Sequence, residues 1–268
     1  MARRRRPLII AGGISALVLA LVLLLPLALV VAAAFAPSES LGISSEQWIA
    51  GAGAGRAFRY VLQTYGTHLI TSAQVALAAG AIALLLGAPA GTALAMAERR
   101  RGARALETLL TLPLGVPGIA AAIALLSAFP GRGGALGLLV VGHVLYTLPY
   151  ATRTVGETAR ASRLGPLLDA ARTLGAGRVQ RVRFVLWPAL RRALGSAALV
   201  ALAVSWGEFN VTFLLATPSR GTFPTALYLS YTTNSFPVAA AATTIMLAGL
   251  VPLVLLALAL GHRPEQGA

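Results

Sequence analysis

The chain has 268 residues, 57% hydrophobic and 11% charged, with a formal net charge of +14 and a mean hydropathy of +0.78. A soluble domain carries about 25% charged residues, so this composition cannot cover a core of such size with polar surface and leaves the class of polytopic membrane proteins. Cysteine is absent, which excludes disulfides, thiolate metal sites and cysteine nucleophiles, and the basic excess, all arginine, is read by its position rather than as a nucleic-acid footprint.

A helix needs about 20 largely apolar residues to cross the hydrocarbon core. Six stretches supply or nearly supply them: 8–35, 69–97, 108–129, 136–151, 193–216 and 237–261. Their length, their alanine and leucine content and the lack of polar/apolar alternation argue against strands of a barrel. The expected fold class is all-α, a polytopic bundle of six transmembrane helices forming a single domain over 1–268.

The first stretch begins with Arg3–Arg6 and ends in small residues, as a signal peptide would. At 28 residues it exceeds the ~7–15 of a signal core, so an uncleaved first span is expected. Residues 36–67 are polar enough for the interface. Within them Phe58, Val61, Leu62 and Tyr65 fall at helical spacing, which predicts a short surface-lying helix leading into the second span. The glycine-rich run ending at Arg56 lacks the lysine and Ser/Thr of a phosphate-binding loop and reads as a turn.

Arginine placement sets the orientation, because cytoplasmic segments retain positive charge. With the N-terminus inside, only Arg56, Arg59, Arg132 and Arg220 of the 22 arginines fall outside. Both termini are therefore expected in the cytoplasm.

Pro113 and Pro117 lie early in the third span and Pro149 late in the fourth. Each removes a helix hydrogen bond, which membranes tolerate where neighbours or water satisfy the backbone. Glu208 is the acid deepest in a predicted span, with Trp206, Asn210 and Thr212 close by. An intramembrane carboxylate faces a bundle interior or an aqueous path. Two readings stand: these four residues line the substrate path, or Glu208 makes a structural bond between helices. Ser15 in a Gly-x-Ser context, with His68 and His143 elsewhere, is thin support for a catalytic site, and the scattered histidines make no metal site. No catalytic residue and no metal ligand is assigned, and the chain is not expected to hydrolyse nucleotide.

The polar insertion at 153–192 is the informative segment. Pro166 suits a helix start, and Leu167, Leu168, Ala171 and Leu174 then fall on one face. Asp169 near the N-terminal end and Arg172 near the C-terminal end suit the helix dipole, and Gly175 and Gly177 stop the helix. A second amphipathic stretch carries Val179, Val182, Val185 and Leu186 on one side, before Pro188 bends the chain into the fifth span. So short a helix is marginal alone. Its apolar face either docks in a partner's groove or rests on the chain's own helix ends or on anionic lipid.

Asp169-Ala170-Ala171, three residues, Gly175, nine residues, then Val185-Leu186-Trp187-Pro188 resembles the Glu-Ala-Ala…Gly…Ile-x-Leu-Pro signature of binding-protein-dependent ABC importer permeases. The spacing matches; Asp stands for Glu, Val for Ile and Trp for Leu. The third span and the "WGEFNVTFLLATP" region also resemble this family. The resemblance implies a type I importer fold in the bacterial cytoplasmic (inner) membrane. It implies that Leu167, Leu168, Asp169, Ala170, Ala171, Arg172, Leu174, Gly175 and Pro188 couple the permease to a separate ABC ATPase, which would carry ATP and magnesium. It also implies a second permease subunit, a paralogue or a second copy, and an extracytoplasmic substrate-binding protein. No cofactor in this chain and no nucleic acid are expected. The size and the Gly-Glu-Phe element resemble the branch carrying polyamines, thiamine, ferric iron, sulfate or molybdate, with a polyamine or similar small solute as the expected substrate. The rivals are a secondary transporter or channel not powered by ATP, against which sparse buried charge and the absence of internal repeats argue, and an intramembrane hydrolase needing Ser15.

Overall fold

The computed structural model describes residues 5–36, 55–97, 100–217 and 220–261. Of the residues read for orientation, Arg3, Arg4, Arg99 and Arg263 lie outside these, as does most of the connection after the first span. The described elements are helical: α1 Arg5–Ala33, α2 Arg56–Met96, α3 Arg101–Thr111, α4 Gly118–Ala128, α5 Leu136–Ala161, α6 Leu164–Thr173, α7 Arg178–Trp206, α8 Asn210–Leu215, α9 Phe223–Thr233 and α10 Phe236–Gly261. Among the described residues the only β-type pairing is an isolated bridge between Thr217 and Arg220.

Four helices are individually long and apolar enough to cross a membrane: α1 from Gly13, α2, α7 and α10. The third expected span differs. α3 with its 3-10 extension Leu112–Gly115, and α4, form a pair bent by 101°. Pro113 sits in the 3-10 turn and Pro117 is extended ahead of α4. Two prolines four residues apart do more than kink a helix, because each removes a donor and Val116, before the second, is pushed into extended backbone. The fourth expected span is not among those four helices: it lies within α5, which passes through Pro149 and runs to Ala161, 26 residues or about 39 Å. Its last third carries Arg153, Glu157 and Arg160 and belongs to the polar layer.

The expected surface helix is not a separate element. Residues 56–67 are the opening turns of α2, which has 41 residues, about 61 Å and twice the hydrocarbon thickness. Val61 and Tyr65 are buried there, while Leu62 is exposed.

The contacts gather into two units, Met1–Gly66 with Leu227–Leu247, and Thr67–Ala226 with Ala248–Ala268. In the first, Tyr60 donates to Asn234 Oδ1 at 3.2 Å, Asn234 Nδ2 donates to the Tyr65 hydroxyl at 3.1 Å, and Phe35 stacks at a tilt on Phe58. No side chain of the most apolar window of α1 is buried within the chain. A helix apolar all round belongs in lipid or against another subunit.

The second unit holds two apolar clusters. One gathers Val75, Ala122, Leu138, Leu139, Val211 and Leu215; the other Ala95, Val155, Ala159, Leu164, Leu190 and Ala197. Close backbone approach makes the second possible. Gly87 and Gly91 on α2 face α5, and a Cβ on Gly91 would overlap the Thr152 carbonyl oxygen. Lipid tails are as apolar as leucine, so small residues that let backbones meet replace the hydrophobic drive between membrane helices.

Candidate functional site

Two polar interruptions in this apolar unit stand out. The first is α6. It begins at Leu164, two residues before Pro166, after Arg163 in a left-handed conformation (φ 47°). Asp169 is therefore in mid-helix rather than near the N-terminal end, whereas Arg172 does lie in the last turn. Gly175 has φ +82°. The Ala176 N–H donates to the Ala171 carbonyl at 3.0 Å and the Gly175 N–H to the Arg172 carbonyl at 2.9 Å. This is the paired closure that a left-handed glycine allows, and it satisfies carbonyls a helix end otherwise orphans. Gly177 opens the next helix, its N–H donating to Gln180 Oε1 at 2.8 Å.

The four apolar residues assigned to one face of α6 divide between two. Leu168 packs on the second cluster beside fully buried Leu164, and Ala171 is half-buried. Leu167 is 49% exposed and Leu174 87% exposed, together with Asp169, Ala170, Arg172 and Gly175. The second amphipathic stretch divides likewise: Val185 and Leu186 pack on the cluster, while Val179 and Val182 face out. Pro188 is exposed and lies inside a helix rather than between two. The turn before it, Val182–Leu186, is a π-helix inside a continuous Arg178–Trp206 helix. The wider turn makes room for the pyrrolidine ring, which in a regular turn would strike the carbonyl of Phe184, four residues back.

The second interruption cuts the expected fifth span. α7 stops at Trp206, Gly207–Phe209 leave the helix, and α8 restarts at Asn210 for six residues. Glu208 explains the restart. Its Oε1 accepts the Val211 N–H at 2.9 Å, and its Oε2 accepts the Thr212 N–H at 3.1 Å and the Thr212 hydroxyl at 3.3 Å. Those amides are among the four donors any helix leaves unpaired at its start, and an acid there is favoured. His143 of α5 stands opposite, with Nε2 3.8 Å from Glu208 Oε2 and 2.8 Å from Thr212 Oγ1, and Nδ1 2.7 Å from Ser205 Oγ. Thr212, His143 and Ser205 are all buried.

The other expected path residues lie around this break. The Trp206 indole covers Gly249 of α10, where a Cβ would meet it at 2.7 Å. Asn210 is exposed, its Cβ against the backbone of Gly118 at the start of α4. Sequence reasoning missed His143 as a partner of this group; the signal was a lone imidazole in an apolar run, which says nothing about what it faces. It also missed the Arg160–Glu107 ion pair at 2.9 Å, which ties α5 to α3. Ser15 lies exposed on α1. Among the described residues no three His, Asp or Glu side chains gather as metal ligands do.

Long apolar helices, glycine-mediated contacts and polar groups paired inside the apolar unit define a multi-pass membrane protein. Residues 87–264 match the model of the binding-protein-dependent transport system inner membrane component. A molybdenum transport system permease protein of Mycobacterium tuberculosis is 33% identical over 212 residues, covering 71% of this chain and 77% of that one. A spermidine/putrescine transport system permease protein of Haemophilus influenzae is 30% identical over 192 residues, covering 70% and 73%. In fold, the chain is similar to a bacterial ABC transporter involved in the import of the polysaccharide alginate, with a TM-score of 0.67 over 98% of both chains at 17% identity. The chain belongs to the binding-protein-dependent transport system inner membrane component family and is a permease component of an ABC importer, a transport subunit whose ATPase is a separate chain.

Proposed function

We propose that this permease is coupled to its ATPase through α6, and that Trp206, Glu208, Asn210 and Thr212 border the path the solute takes. The observation that carries the coupling reading is the division of α6. Leu164 and Leu168 anchor one side to the cluster under α5 and α7, while Leu167 and Leu174 stand out among charged residues. A push on the exposed side is transmitted through a helix that cannot slide on its own bundle. Asp169, Ala170, Ala171, Arg172 and Gly175 shape that surface, and Pro188 closes the segment that carries it. The partner chain supplies ATP and magnesium; a second permease, paralogue or self, completes the path, and an extracytoplasmic binding protein delivers solute. The cytoplasmic membrane is the location, with both termini inside.

The substrate is a small solute, with a polyamine the first to assay. Molybdate stands beside it, because the relatives named for these two solutes are about equally similar. Glu208 is a weak argument for a cation: both its oxygens already accept hydrogen bonds from α8.

Gly175→Pro tests the coupling reading. Proline cannot take φ +82°, so the closure of α6 is lost at an exposed site while the bundle is untouched. The expected outcome is normal insertion with uptake and ATPase co-purification reduced at least tenfold. Full uptake with this residue changed overturns the coupling role. Uptake that survives ATP depletion but collapses with the ion gradient identifies a secondary transporter instead.

A further inference from the structure

Capping by Glu208 explains why α8 restarts after Gly207–Phe209 but not what fixes the angle between α7 and α8. Many hydroxyls in the neighbouring helices satisfy themselves locally, although Ser196 of α7 donates across to the Ala257 carbonyl. Thr147, Thr152, Thr243 and Thr244 each donate to the carbonyl four residues back. Ser205, in the last turn of α7, and Thr212, in the first turn of α8, turn instead to His143, 62 and 69 residues away. They stand on opposite sides of the break, and one imidazole reaches both.

The approach is built into the backbone. Gly142 of α5 faces α8 so closely that a Cβ there would lie 2.6 Å from Val211 Cγ1. The next residue, His143, therefore has α8 within reach. The Thr212 hydroxyl lies between His143 Nε2, at 2.8 Å, and Glu208 Oε2, at 3.3 Å. The contacts form a chain from α5 through Thr212 to the carboxylate, with Ser205 tied in at Nδ1. In a medium without water, breaking such a chain leaves polar groups unpaired, so its members move together.

We propose that His143 is a positioning residue for transport. It clamps the end of α7 to the start of α8 and holds Glu208 and Asn210 where the path requires them. This rests on the reading that the break borders the path, and the test separates the two claims.

The chain has no cysteine, so Asn210→Cys introduces a single thiol beside the break, and its reaction rate with a water-soluble maleimide reports the arrangement there. Three backgrounds are compared: wild type, His143→Leu, which keeps bulk without bonds, and His143→Gln, which restores one donor and one acceptor. Each is measured as permease alone and as the permease–ATPase complex with and without ATP. In His143→Leu the rate in the permease alone should change at least fivefold, and the response to ATP should vanish while the complex still assembles. His143→Gln should recover both to within about threefold of wild type. If His143→Leu fails to fold, Ser205→Ala, which removes one bond and little volume, is read in its place. Unchanged labelling in the folded variant overturns the clamp. Changed labelling with an intact ATP response overturns its role in transport. A wild type that ignores ATP defeats the importer reading, while the ATP-free comparison still decides the clamp.

Discussion

The α6 segment and the break at Gly207–Phe209 are both polar interruptions of an apolar chain, and they satisfy their backbones in opposite ways. α6 closes on itself: the glycine at 175, the amide of Ala176 and the carbonyl of Ala171 lie within six residues. Its outer side carries Leu174 87% exposed among charged residues. The break lies in an apolar unit, where a carboxylate takes two amides and a hydroxyl and a distant histidine takes the hydroxyls on either side. The first region turns apolar residues outward, while the second ties its polar groups to one another.

The difference can be broken most severely at the break. Glu208→Leu leaves two amides and a hydroxyl without their acceptor, at about 1–3 kcal/mol for each donor left unsatisfied. The expected result is a clear drop in melting temperature and in monodisperse yield in detergent. Glu208→Gln, keeping one acceptor oxygen, should fall between. A Glu208→Leu protein as stable as wild type would mean that other groups complete the start of α8.

Leu174→Ser sharpens the contrast from the other side. The residue is already exposed, so the isolated permease should melt within a degree or two of wild type. Burying a leucine is worth about 1.5–3 kcal/mol, so affinity for the ATPase should fall roughly tenfold to a hundredfold, read by titration of purified components. A loss of stability without a loss of affinity would place Leu174 in the permease's own packing.

The smallest effect is expected at Arg160–Glu107, a 2.9 Å pair with side chains 28% and 36% exposed. Exposed pairs contribute about 0–1 kcal/mol. Glu107→Gln should change stability by no more than that, and 0.5 M salt should erase the difference. A larger loss would show that α3 is held to α5 mainly through this contact.

The regions also differ in how far they could be read beforehand. Gly175 as the stop of α6 was legible because the motif lies within a few residues and depends on backbone geometry alone. The split of its apolar residues was not: Leu164 and Leu168 chose the cluster under α5 and α7, a choice made by packing. At the break, the acid at 208 and the threonine at 212 were visible as polar residues in a span, but the interruption of the helix was not. The stretch from 193 to 216 has the composition of one crossing, yet the helix ends at Trp206 and Glu208 caps its restart. The right-angle turn at Pro113–Pro117 was announced by its prolines and underestimated in size.

By itself the sequence determined the apolar helical class, the places where most long helices run, the polar layer between α5 and α7, and the signature that carries the family. These follow from composition, helical period and spacing, all local along the chain. Tertiary structure decided which side of α6 is anchored, where the fifth span breaks, and that His143 serves both sides of that break. The first depends on apolar packing, and the last on polar groups finding partners 62 to 69 residues away. In an apolar medium a hydroxyl or carboxylate has no water to fall back on, so the nearest partner in space, not in sequence, fixes its role.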